Sequence, residues 1–104
     1  MYKGTTPTII LTLPDDIDLG EASNVYVSFA TRGGKELIRM TGTDISIDEN
    51  VISVFLSQEE TLKLPEWVTI QVNWTYAEGT TTKRAATKKC TIRVENNIIN
   101  EVLA

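Results

Sequence analysis

An all-β fold, an antiparallel immunoglobulin-like β-sandwich of six or seven strands with one short helical turn, is what these 104 residues predict. Three observations carry the prediction. Val68 to Tyr76 alternates without a fault: Val68, Ile70, Val72, Trp74 and Tyr76 fall on one parity and Thr69, Gln71, Asn73 and Thr75 on the other. Side chains alternate across a strand with period 2, so this is a strand with one buried and one wet face. Other short apolar runs recur at fairly regular spacing, separated by glycine, proline, aspartate and asparagine. Finally, Ser57-Gln58-Glu59-Glu60 has the capping-box pattern that opens a helix, and it stands just before the last pair of strands.

The elements follow in order. Residues 8–13 read as a first strand with Ile9, Leu11 and Leu13 on one face; Pro7 and Pro14 bracket it, which suits a sheet edge. Residues 15–23 are a polar loop pinned by Ile17 and Leu19. Residues 24–31 are a second strand with Val25, Val27 and Phe29 inward. Arg32-Gly33-Gly34 is a tight turn, and 35–41 return as a third strand. Ile45 and Ile47 alternate in a short fourth strand, and 51–56 are a fifth. A single helical turn runs from the capping box to Leu64, where Pro65 stops it. The strand over 67–76 follows, then a hairpin at Ala77-Glu78-Gly79-Thr80 and a last strand over 82–95. In that last strand Cys90 shares the parity of Ile92 and Val94 and is expected in the core. The chain reads as a single domain over 1–104; Ile98, Ile99, Val102 and Leu103 fall at helical spacing, which allows a short amphipathic helix over 96–104 whose apolar residues either close one end of the sandwich or dock on a neighbouring subunit.

The totals narrow the function. A composition of 41% hydrophobic and 23% charged residues is that of an ordinary globular domain, not a disordered one. The net charge of −4 argues against nucleic acid and anionic membranes as partners. No apolar run approaches the roughly 20 residues that span a bilayer, and the N-terminal stretch does not read as a signal peptide. The single cysteine cannot form an internal disulfide, which fits synthesis in a reducing cytoplasm.

No motif for catalysis stands out, and the chain is expected to be no enzyme and to use no cofactor. There is no histidine to activate Cys90, a serine or a threonine, and no glycine-rich phosphate loop. Asp15, Asp16, Asp18 and Glu21 gather four carboxylates without the spacing of an EF-hand; they read first as a solvated loop and second as a calcium site. Asn73-Trp74-Thr75 matches the glycosylation acceptor pattern by chance, in mid-strand. Half of the ten basic residues, Lys83, Arg84, Lys88, Lys89 and Arg93, lie on the last strand. They fall on both parities, as expected of an edge protected by charge, with a site for an acidic partner as the other reading. Trp74 belongs to the core parity. Trp67 either packs under the helical turn or stands partly exposed at a binding surface. The outward row Thr69, Gln71, Asn73 and Thr75 is uncharged and reads as scaffold.

Most of the chain also resembles small proteins encoded among the tail genes of phages and prophages of Gram-positive bacteria. It is similar to the N-terminal immunoglobulin-like domain of phage upper baseplate proteins. The likeness rests on GTTPTIILTLPDDIDLGEASNVYVSF, with Ile17-Asp18-Leu19-Gly20-Glu21-Ala22 between two strands, and on LSQEETLKL and VNWTYAEGTTTKRAATKKCTIRV. It implies a non-enzymatic structural or assembly protein, placed in the virion tail after assembly, whose partners are other tail or baseplate proteins or further copies of itself. The surfaces expected to serve are the basic segment Lys83, Arg84, Lys88 and Lys89 and the tail residues Ile98, Ile99, Val102 and Leu103. A small module binding carbohydrate or calcium is the alternative.

Overall fold

The alternating runs pair into two antiparallel sheets in a computed structural model that describes residues 1–104. The strands are β1 (Thr8–Thr12), β2 (Ala22–Ala30), β3 (Glu36–Met40), β4 (Ile45–Asp48), β5 (Val51–Phe55), β6 (Trp67–Glu78), β7 (Thr81–Ala86) and β8 (Cys90–Arg93), with one helix, α1 (Gln58–Leu62), between β5 and β6. One sheet has the order β1-β5-β4. The other has the order β3-β2-β6-β7, with β8 also paired to β6. In immunoglobulin terms these are strands B, E and D facing C′, C, F and G. The place of a first strand is taken by the N-terminal residues, where Tyr2 bridges Glu95 in parallel. No helix is long and apolar enough to cross a membrane.

The predicted parities hold where the core forms. Val25, Val27 and Phe29 of β2 share the inner side of the sheet with Val68, Ile70 and Val72 of β6, and Val27 stands opposite Val72 and Phe29 opposite Ile70. All six are buried and pack with Ile52 and Val54 of β5 from the other sheet. Burying such side chains contributes roughly 1.5–3 kcal/mol each, which is why the long central pair β2–β6 anchors the domain. β1 lies at the edge of its sheet, as its flanking prolines require.

The helical turn closes one end. Ser57 Oγ accepts from the Glu60 backbone N–H at 3.2 Å, and Glu60 Oε1 accepts from the Ser57 N–H at 2.8 Å, completing the capping box. Thr61 is fully buried, and its hydroxyl donates to the Thr5 carbonyl at 2.8 Å, tying the N-terminal segment to α1. No buried polar side-chain atom lacks a partner. Gly34 and Gly79, at φ +94° and +62°, supply the turns of the β2–β3 and β6–β7 hairpins. Glu49 adopts φ 55° in the β4–β5 hairpin, a conformation that costs a non-glycine residue about 1 kcal/mol or more.

Three expectations are corrected. The last strand is not continuous over 82–95; it breaks at Thr87–Lys89 into β7 and β8, which raises the strand count to eight. At the break Thr87 Oγ1 accepts from the Val72 N–H at 3.1 Å, so a side chain replaces a rung of the ladder. Cys90 is exposed rather than buried. It stands opposite the buried Ile70 in register, but β8 is an edge strand and the facing sheet has only three strands to cover it. Residues 96–104 form no helix. Nine residues with β-branched Ile98, Ile99 and Val102 cannot meet the cost of helix nucleation without a surface to pack on.

Candidate functional site

The outward side of the five-stranded sheet is where polar side chains from distant parts of the chain converge. Along β6 the wet parity runs Trp67, Thr69, Gln71, Asn73 and Thr75. Pairing sets Tyr26 beside Asn73 and Ser28 beside Gln71 from β2. It sets Arg39 beside Ser28 from β3, and Arg84 beside Thr75 from β7. Together with the β2–β3 turn and Lys89 these residues line an open hollow of ≈ 710 Å³. Ligand sites commonly measure about 300–1,000 Å³.

The break between β7 and β8 shapes this hollow. Arg84 and Ala86 face outward on even positions, whereas beyond the break Thr91 and Arg93 face outward on odd ones, opposite Thr69 and Trp67. The extra residue therefore turns Lys89 to the hollow in place of Lys88. Gln71 holds the break in place, since its Nε2 donates to the Thr87 carbonyl at 2.9 Å.

Most side chains here are fixed by a partner. Arg84 Nε and Nη2 both donate to Asn73 Oδ1, at 3.2 and 2.9 Å. Arg39 donates to both carboxylate oxygens of Glu36, at 3.1 and 2.8 Å, and the Ser28 hydroxyl donates to the same carboxylate at 2.7 Å. The Arg39 guanidinium, followed by the Ser28 hydroxyl, holds the Glu36 carboxyl below the usual carboxylate range. The Arg32 guanidinium lies 4.7 Å above the Trp67 ring, a cation–π contact. Of the two places open to Trp67, the structure takes the partly exposed one, at 38%. The molecule has two ion pairs, Arg39–Glu36 and Arg93–Glu66, so Arg32, Arg84 and Lys89 have no carboxylate beside them.

The expected docking residues do not form one surface. Arg84 and Lys89 line the hollow, whereas Lys83, opposite Tyr76, points to the other side of the sheet and Lys88 stands exposed in the break. The C-terminal tail leaves from the opposite end of β6, about 30 Å from Lys83 along the strand. It is laid beside α1 by a double hydrogen bond: the Leu103 N–H donates to Gln58 Oε1 at 2.7 Å, and Gln58 Nε2 donates to the Leu103 carbonyl at 3.0 Å. Its side chains do not close the core; Ile98 is fully exposed, and Ile99, Val102 and Leu103 remain about half exposed.

The acidic loop gathers no site. Asp18 Oδ1 caps a short helical turn at the Gly20 N–H, and Asp15 Oδ1 accepts from Asn50 Nδ2. No three His, Cys, Asp or Glu side chains are grouped as a metal ion requires. Sequence reasoning missed Tyr26, Arg32 and Arg39 in the hollow. The outward parity of Tyr26 and Arg39 was visible, but which strands lie side by side, and where the turn carries Arg32, was not. No protein-family model, curated protein or solved structure matches the chain.

Proposed function

We propose that the chain is a non-enzymatic structural or assembly protein of a phage or prophage tail or baseplate, acting through protein–protein contacts. The observation that carries this reading is the C-terminal tail: four apolar side chains, one fully and three about half exposed, on a segment tied to Gln58 through Leu103. Apolar surface presented this way is what a partner subunit buries. The likeness of GTTPTIILTLPDDIDLGEASNVYVSF to tail-region proteins supplies the context. The partner is a further copy or a neighbouring tail protein. Light scattering on the chain, alone and mixed with proteins encoded beside it, tests the reading. A complex that disappears when Ile98, Ile99, Val102 and Leu103 are replaced by serine is the expected result. A monomer that joins none of those proteins, or a complex indifferent to the four replacements, contradicts it.

A small carbohydrate-binding module is the second reading. The hollow over β2, β3, β6 and β7 favours it, because amides, hydroxyls and arginines there are positioned by the sheet rather than by mobile loops.

A further inference from the structure

We propose that the outer face of the five-stranded sheet binds an anionic oligosaccharide, a sugar chain bearing carboxylates. The inference rests on the carbohydrate-binding reading and names the ligand's charge. Its first support is charge segregation. The chain carries fourteen acidic and ten basic residues. Four of the basic ones, Arg32, Arg39, Arg84 and Lys89, line the hollow, against a single acidic one, Glu36. A protein that is acidic overall thus presents a cationic face, and Glu36 is already engaged by Arg39. An anionic ligand finds complementary charge there.

The lining then decides among anions. Only two of the fifteen lining residues are hydrophobic. A protein partner draws its affinity from a cluster of apolar and aromatic anchors seated in pockets, and the lining offers only Tyr26 and Ala30 as apolar contacts between its cations. Single-stranded nucleic acid needs several aromatic platforms for successive bases. Here Tyr26 is the one aromatic ring among the lining residues, and the partly exposed Trp67 beside them already has the Arg32 guanidinium over its ring. What remains is a row of hydroxyls and amides, Ser28, Thr69, Gln71, Asn73 and Thr91, between the cations. That set matches a ligand rich in hydroxyls and carrying carboxylates. Tyr26 provides the apolar patch on which a sugar ring rests. The Arg84 fork, held in plane by Asn73, is set to grip a carboxylate.

Isothermal titration calorimetry with tetragalacturonate tests this, with maltotetraose, tetraglutamate and a four-residue oligothymidylate as comparison ligands. The parent chain is compared with two double variants that lose the same charge: Arg84→Gln/Lys89→Gln in the hollow, and Lys83→Gln/Lys88→Gln outside it. Tetragalacturonate binding, at least about tenfold weaker in the first variant and unchanged in the second, is expected, since one charge-assisted hydrogen bond is worth about a factor of ten. Equal melting temperatures of the three proteins exclude a folding effect. Equal weakening in both variants overturns the proposal, because bulk charge then explains the binding. Maltotetraose binding as tightly overturns the anionic assignment and leaves the carbohydrate-binding reading standing. Tetraglutamate or oligothymidylate binding as tightly overturns the sugar. Absence of binding to either sugar overturns both readings of the face.

Discussion

β6 shows two faces that do different work. Its inner row, Val68, Ile70 and Val72, is buried against both sheets and carries no group that a ligand recognises. Its outer row, from Trp67 to Thr75, is partly buried at most and is tied to neighbours by hydrogen bonds between side chains and to backbone. The same twelve residues therefore hold the fold on one side and display a surface on the other. The two functions are separable because strand side chains alternate, so a change on one face leaves the other in place.

The largest expected effect is on the inner face. Ile70→Ala removes a buried side chain between β2 and β8 and costs roughly 2–5 kcal/mol in urea unfolding. A loss under about 1 kcal/mol would mean that this row is not the centre of the core. Next comes the end of the sandwich. Thr61→Val keeps the volume but removes the hydroxyl bonded to Thr5, and Ser57→Ala removes the helix cap; each lowers stability by about 1 kcal/mol. Gln71→Ala sharpens the comparison from the outer face. It releases the Thr87 carbonyl and loosens the break that aims Lys89, costing about 0.5–1.5 kcal/mol. Its larger consequence is expected in ligand affinity rather than in melting temperature.

The smallest effect is that of pH. Arg39 and Ser28 depress the folded-state pKa of Glu36, so its contribution to stability is present above the ordinary glutamate range and is lost as pH falls through the lowered value. The pair is exposed and screened by solvent, so the loss is small. Parent and Glu36→Gln are expected to differ slightly in melting temperature near neutral pH and to converge in acid. A difference that grows in acid contradicts the assignment.

The sequence disclosed what depends on neighbours along the chain. The parity of β6 was legible because alternation persists through a long strand, and α1 because its capping box is closed by residues three apart. The β2–β3 and β6–β7 hairpins followed from turns at Gly33-Gly34 and Gly79. What stayed hidden depends on contacts between remote residues. The break at Thr87–Lys89 exists because the Thr87 hydroxyl meets the backbone of Val72, and once it forms, parity beyond it reverses. The exposure of Cys90 depends on the width of the facing sheet, which no local pattern records. The tail reads as an amphipathic helix only if it has a surface to pack on, and here it is non-helical and tied at Leu103 to Gln58 instead. The hollow escaped for the same reason. Tyr26, Arg39, Gln71 and Arg84 are far apart in sequence, and only the register brings them together. The uncharged outer row of β6 read as scaffold because the cations beside it come from other strands.

The separation of the two faces is tested most directly by mapping backbone and side-chain amide shifts of the labelled protein during titration with tetragalacturonate. Saturable shifts at Tyr26, Arg39, Gln71, Asn73 and Arg84, with the three-stranded sheet and the C-terminal tail unmoved, are predicted. Shifts centred on the three-stranded sheet or the tail, or none on the outer face of β6, would contradict the account.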